Sequence, residues 1–172
     1  FLRYFVKTCI FFIFTNSVAT ESPVLHMVLE KGIVKIKTFP EKAPNTVKRI
    51  IELSESGFYD GLTFHRVISG FMAQGGDPKG DGTGGSGKNI KAEFNDIKHE
   101  RGIVSMARAN DPDSADSQFF ICYDSHPFLD GKYTVWGKVI EGMNLIDRIP
   151  EGKGQNGQVL RNPTKIITIR LK

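Results

Sequence analysis

Arg66 and Gln74 flank two large apolar residues, Phe71 and Met72, in the run Phe64-His65-Arg66-Val67-Ile68-Ser69-Gly70-Phe71-Met72-Ala73-Gln74-Gly75-Gly76. This run reads as strand, turn, strand, which brings the four side chains close together. A guanidinium keeps its charge at any ordinary pH and presents its N–H donors in a fixed fork. A side-chain amide both donates and accepts. A rigid donor beside an apolar pocket suits a ligand with an apolar ring next to an amide, which describes an Xaa-Pro peptide. Phe120 and Gln118 stand in a second such run, Ser117-Gln118-Phe119-Phe120-Ile121-Cys122.

The chemistry that such a site can perform needs no nucleophile, metal or redox group. Rotation about a peptide C–N bond is opposed by ~18–20 kcal/mol of resonance, so Xaa-Pro bonds isomerise unaided over roughly tens of seconds. A donor that stabilises the twisted amide, whose proline nitrogen becomes more basic, lowers that barrier.

Other patterns look like chemistry and lack the context for it. Gly80-x-Gly82-x-x-Gly85 and Gly82-x-Gly84-x-x-Gly87 fit a dinucleotide fingerprint, but no long amphipathic helix follows. The stretch from Gly82 to Lys88 begins like a phosphate-binding loop, yet Asn89 stands where its magnesium-binding hydroxyl belongs. The run Asp111 to Asp116 starts like a calcium loop and puts Ala115 at a ligand position. His26, His65, His99 and His126 lack metal-ligand spacing. No G-x-S-x-G elbow exposes a serine. No cofactor or metal is therefore expected. His65 has the opposite strand parity to Arg66 and reads as structural.

The elements that must position these residues follow from periodicity and turn chemistry. Short strands are predicted over 24–30, 33–39, 62–68, 71–74, 103–107, 118–123, 134–140 and 166–171. In the last, Ile167, Ile169 and Leu171 are expected on one face. Pro44 opens a helix that Gly57 ends, with Val47, Ile50 and Ile51 as its apolar stripe. A second, shorter helix is predicted over 142–149. Many short strands with two helices point to a mainly β fold: a closed, eight-stranded antiparallel β-barrel capped by helices. The Gly-rich stretch 75–87 is a surface loop within it.

Composition agrees with one folded domain. The chain has 172 residues, 40% hydrophobic and 24% charged, with 13 Phe against one Trp. Its net charge is +4, of which Arg3 and Lys7 supply two, so a chain starting at Thr20 carries +2. That balance, without a basic stripe, does not imply a nucleic acid partner. Residues 1–19 read as a signal peptide: Arg3 and Lys7, then an apolar run from Cys9 to Phe14, then Ser17-Val18-Ala19 as a small-x-small cleavage site. The run is too short to span a bilayer. The expectation is an exported, periplasmic protein, with residues 20–172 as its domain; if residues 1–19 are a spurious extension, the location is cytoplasmic. Cys122 then remains as a lone thiol, expected to be a small buried hydrophobe.

From Val24 to Leu171 the chain resembles the cyclophilins, a family of peptidyl-prolyl cis-trans isomerases. The two runs quoted above carry the resemblance. So do Gly82-Thr83-Gly84-Gly85, Val104-Ser105-Met106-Ala107 and Phe128-Leu129-Asp130-Gly131-Lys132, in the same order. The resemblance implies isomerisation of Xaa-Pro bonds in unfolded or flexible proteins, at a site on the outer surface of the barrel. Arg66 matches the family's catalytic arginine, and Gln74 the residue that orients it. Phe71, Met72, Phe120 and Leu129 match the proline pocket. Ala107, Arg108 and Ala109 match the edge that pairs with the substrate backbone, and Gly82 and Gln118 the neighbouring pocket. Phe128, Tyr133 and Arg108 depart from the common Trp, His and Asn and make the chain look bacterial. They imply weak cyclosporin binding. The partners expected are Pro-containing polypeptides, bound by a monomer. The alternative is a proline-peptide binding module or holdase with little turnover.

Overall fold

The computed structural model describes residues 21–172; the signal-peptide reading of residues 1–19 lies outside them. Eight strands form: β1 (Val24–Leu29), β2 (Gly32–Thr38), β3 (Thr63–Ile68), β4 (Met72–Asp77), β5 (Ile103–Met106), β6 (Phe119–Cys122), β7 (Val135–Glu141) and β8 (Ile166–Leu171). Among the described residues two α-helices accompany them, α1 (Pro44–Glu55) and α2 (Met143–Ile146). The predicted helix over 142–149 thus narrows to one α-turn. The following residues continue with tighter bonds, Arg148 N–H to Leu145 C=O and Ile149 N–H to Ile146 C=O, up to Pro150. No helix among the described residues is long and apolar enough to cross a membrane.

The strands make one antiparallel sheet in the order β3-β4-β6-β5-β7-β2-β1-β8. The expected closed barrel is corrected to a curled sheet with two edges. β3 and β8 share no ladder; β3 meets the residue just before β8 at one isolated bridge, Thr63 with Lys165, beside hydrogen bonds from Phe64 N to Thr164 O and from Ile166 N to Leu62 O. The reason lies in the 150–160 segment. It takes the rest of the β3 edge, with Val159 N donating to His65 O and Gly152 N to Val67 O. A covered edge has no unpaired groups left for another strand.

A bulge also corrects the reading of the last strand. The β1–β8 register shifts between Val28 and Leu29, which skips Ile167. Ile166 and Ile169 are therefore both buried, while Ile167 is 49% exposed. The two-residue alternation assumed from the sequence does not survive an inserted residue.

The sheet is covered on both faces where it carries the site. Along β6, Phe119 and Ile121 enter the main core with Leu25, Phe64, Val104 and Trp136. Phe120 and Cys122 point the other way, into a smaller cluster with Met72, Leu129 and Val135. That explains the unbroken apolar run Phe119-Phe120-Ile121-Cys122: a strand buried on both faces shows no alternation. Cys122 is buried, and burial pushes its thiol pKa up to about 12, so it is the inert hydrophobe expected.

Candidate active site

The smaller cluster floors a cavity of about 400 Å3 on the outer face of the sheet. Phe71, Met72, Phe120, Leu129 and Tyr133 line its apolar part; Arg66, Gln74, Gly82, Ala107 and Arg108 line the rest. An adjoining cavity of about 230 Å3 is lined by Ala109, Ser114, Asp116 and Gln118, and shares Gln74, Gly82, Ala107 and Arg108 with the first. The structure thus brings together all but one of the site residues read from the sequence. Phe128 lines neither cavity. It is 59% exposed and lies behind the rim, its ring 5.8 Å from that of Phe71 and 5.7 Å from that of His126.

A bulge aims Arg66. The β3–β4 register passes from Phe64 opposite Gly75 to Arg66 opposite Gln74, leaving His65 as the extra residue. Phe64 can therefore point into the core while Arg66 points to the outer cavity, although strict alternation would put both on one face. His65 is re-aimed as well. It lines the same cavity, which corrects the parity argument that set it apart. His65 is 3% exposed and neither ring nitrogen finds a partner among the described residues. Burial keeps its pKa below the ordinary imidazole value, so the ring is neutral at pH 7.

Arg66 is held at two points. Its Nε donates to Asn156 O at 2.8 Å and its Nη1 to Gln74 Oε1 at 3.1 Å. Nη2 has no hydrogen-bond partner among the described residues. Desolvation lowers the Arg66 pKa somewhat, yet a guanidinium remains charged in any folded protein. Gln74 passes the order on: its Nε2 donates to Gln118 Oε1 at 2.9 Å, and Gln118 Nε2 donates to Gly82 O at 3.0 Å and Gly84 O at 2.8 Å. One relay thus links the arginine to the Gly-rich loop.

That loop wraps a carboxylate rather than a phosphate. Asp77, at the end of β4, is 1% exposed and accepts from Lys79 N at 2.9 Å, Asp81 N at 3.1 Å and Gly82 N at 2.6 Å. Burial alone would raise its pKa; the backbone N–H groups of Lys79, Gly82 and Gly84 outweigh that and hold it below the ordinary value. Within the stretch that begins like a phosphate-binding loop, the N–H groups of Gly82, Thr83, Ser86 and Gly87 are already taken by Asp77, Asp81 and Asp116. At Gly76, next to Asp77, φ is +85° and a Cβ would sit 2.6 Å from Ser117 O, so glycine is required there.

The sequence reading missed a second support. The turn Gln155–Gly157 reaches over the cavity; Gln155, Asn156 and Gln158 line it, and Asn156 O anchors Arg66. The Asn-Gly pair signalled a turn, and Asn156 does take a positive φ of 56°. Nothing local said that the turn lies against a strand so distant in sequence.

A Ser-His-Asp constellation also appears that no local motif announced. His99 Nδ1 lies 3.1 Å from Asp130 Oδ1, and its Nε2 lies 3.1 Å from Ser105 Oγ. It is not a nucleophilic site. Ser105 is fully buried with its Oγ bonded to Thr134 O at 2.9 Å, and the His99 ring stacks under Phe120 with centroids 6.1 Å apart. The network stiffens the floor of the apolar pocket. Among the described residues no group of three or more His, Cys, Asp or Glu could hold a metal ion.

Comparison with known proteins decides what this surface belongs to. The family described as "Cyclophilin type peptidyl-prolyl cis-trans isomerase/CLD" matches residues 24–171. The chain belongs to the cyclophilin family. A protein of Brucella abortus named "Probable peptidyl-prolyl cis-trans isomerase" is 43% identical over 175 residues, covering 95% of this chain and 89% of that one. A "Peptidyl-prolyl cis-trans isomerase" of Synechococcus elongatus is 44% identical over 142 residues, covering 83% and 91%. Among solved structures, a cyclophilin-type isomerase of Cryptosporidium parvum superposes with a TM-score of 0.80 at 34% identity, covering 88% of this chain and 98% of that one. This cyclophilin is a peptidyl-prolyl cis-trans isomerase with the family's mainly β fold.

Proposed function

We propose that Arg66 is the catalytic group and that the cavity of Phe71, Met72, Phe120 and Leu129 receives the proline ring. The observation that carries this reading is the half-used guanidinium. Two of its nitrogens are tied to Asn156 and Gln74, which fixes the plane, and Nη2 is left for a substrate. In the planar amide the nitrogen lone pair is delocalised and accepts poorly. As the bond twists, the lone pair localises on the proline nitrogen, and a donor already in place stabilises the twisted form more than the planar one. Apolar walls that are buried before substrate arrives hold the ring while the preceding residue rotates. No bond is made or broken and no proton is transferred.

Ala107, Arg108 and Ala109 pair with the substrate backbone, and the smaller cavity at Gly82 and Gln118 takes a residue that precedes the proline. The substrates are Pro-containing segments of unfolded or flexible polypeptides, and the protein acts as a monomer. An exchange measurement between cis and trans forms of a short Xaa-Pro peptide, with residues 20–172, tests the site: unmodified protein accelerates exchange and Arg66→Ala does not. The basic start, apolar run and Ser17-Val18-Ala19 support export with cleavage after Ala19. Intact mass from an exporting host should then begin at Thr20; full-length chain recovered only from the cytosol would refute export.

A further inference from the structure

Arg108 is a fixed charge that the fold leaves unneutralised. Its guanidinium lies 4.7 Å from the centroid of the Tyr133 ring and 5.8 Å from that of Phe94. Nε and Nη2 donate to Lys132 O at 3.1 and 2.9 Å, and Nη1 donates to Ala109 O at 2.9 Å and Asn110 O at 3.1 Å. Rings and carbonyls hold the group in place without cancelling its charge. Arg49, Arg101 and Arg170 are each paired with a carboxylate, whereas none of the ion pairs of the described residues includes Arg108 or Arg66.

Asp81 lines the first cavity and Asp116 the second, and neither they nor Asp111 and Asp113 form an ion pair with Arg108; their oxygens accept from other groups. Asp81 accepts from Thr83 N and Oγ. Asp116 accepts from the Ser86 N–H and hydroxyl and from Gly87 N. Asp111 and Asp113 accept from Asp113 N and Ala92 N. Arg108 lines both cavities, so any chain running from one to the other passes beside it.

We infer that Arg108 makes this site prefer Pro-containing segments with a carboxylate side chain within two residues of the proline, and disfavour those with an ammonium group there. The inference rests on the isomerase site proposed above. Two residues reach roughly 7 Å along an extended chain, a distance at which opposite charges at a protein surface still attract measurably. Replacing Glu by Lys turns attraction into repulsion, so the contrast between the two is about five- to tenfold in kcat/KM at low salt.

The test uses peptides identical except for Glu, Gln or Lys, placed either two residues before the proline or directly after it. Isomerisation is measured by exchange NMR at about 0.02 and 0.5 M ionic strength. At one position at least, the order should be Glu, then Gln, then Lys, and the contrast should shrink at high salt. In Arg108→Gln the Glu-to-Lys ratio should fall to near one, whatever the absolute rate becomes, and in Arg108→Lys the order should persist. Arg108→Met serves if the Gln variant does not fold. A ratio near one at both positions in the unmodified protein, or a preference that survives in Arg108→Gln or Arg108→Met, overturns the inference while leaving the isomerase reading intact. Failure of the unmodified protein on all the peptides overturns both.

Discussion

Arg66→Ala separates the catalytic reading from a structural one, because the two effects differ in size and in observable. The substitution removes two hydrogen bonds, from Nε to Asn156 O and from Nη1 to Gln74 Oε1. Both lie at a solvent-accessible cavity, where a bond contributes about 0.5–1.5 kcal/mol net. Together they predict a loss of about 1–3 kcal/mol, or a fall in Tm of about 2–12 °C at this chain length. The Gln155–Gly157 turn should loosen, since the arginine is one of its ties to β3. The barrier responds to a different loss, that of a preorganised donor at the twisted amide. Deleting such a donor costs roughly 10²–10³ in rate, about 2.7–4 kcal/mol. Exchange NMR on a neutral Xaa-Pro peptide reads the rate, and a thermal melt reads the fold. The loss should fall on kcat, because Met72, Phe120 and Leu129, the apolar cavity walls proposed to receive the proline ring, are left in place. Arg66→Lys keeps the charge and loses the fork. An ammonium cannot hold both Asn156 O and Gln74 Oε1 and also reach the substrate, so it should restore only part of the activity. A folded Arg66→Ala protein with near-normal kcat/KM would refute the assignment.

Acid should destabilise the fold through His65 and His99. Burial lowers the pKa of both, so below about pH 6.5 the unfolded chain takes up protons that the folded chain refuses. Stability is therefore constant above that pH and falls as pH drops through the window below it, by at most about 1.4 kcal/mol per pH unit for each ring; urea midpoints from pH 7.5 to 5 measure this, and an unchanged slope in His65→Gln/His99→Gln would refute it. Asp77→Ala should cost about 2–4 kcal/mol by stranding the N–H groups of the Gly-rich loop; a melting temperature unchanged within error would show that the loop does not depend on them. Phe128→Trp should tighten cyclosporin binding. The resemblance implies that a Trp there donates its indole N–H to the drug, a donor that Phe128 lacks; restoring it should gain the low end of an unpaired-acceptor cost, about 1 kcal/mol or roughly fivefold, because Phe128 is 59% exposed and water can reach that acceptor. Inhibitor titration of both proteins checks this, and tight inhibition of the unmodified protein would refute it.

Strand positions, the first helix and most of the site were legible because they rest on local signals. Alternation marks half-buried strands, Pro44 and Gly57 bracket α1, and the ordered runs around Arg66, Gln74, Phe120 and Leu129 mark the cavity. What could not be read locally depends on pairing between distant residues. An inserted residue at His65 turns Arg66 outward, and another at Ile167 turns that side chain to solvent; a bulge exists only relative to a partner strand. The anchoring of Arg66 by Asn156, the tie of the Gly-rich loop to Gln118 and the covering of the β3 edge by the 150–160 segment are likewise contacts that only chain reversal creates. Sequence by itself determined which residues are apolar, charged or conformationally free. Tertiary structure alone decided which donors are already taken and which, like Nη2 of Arg66, have no partner among the described residues, because hydrogen bonding is a property of pairs.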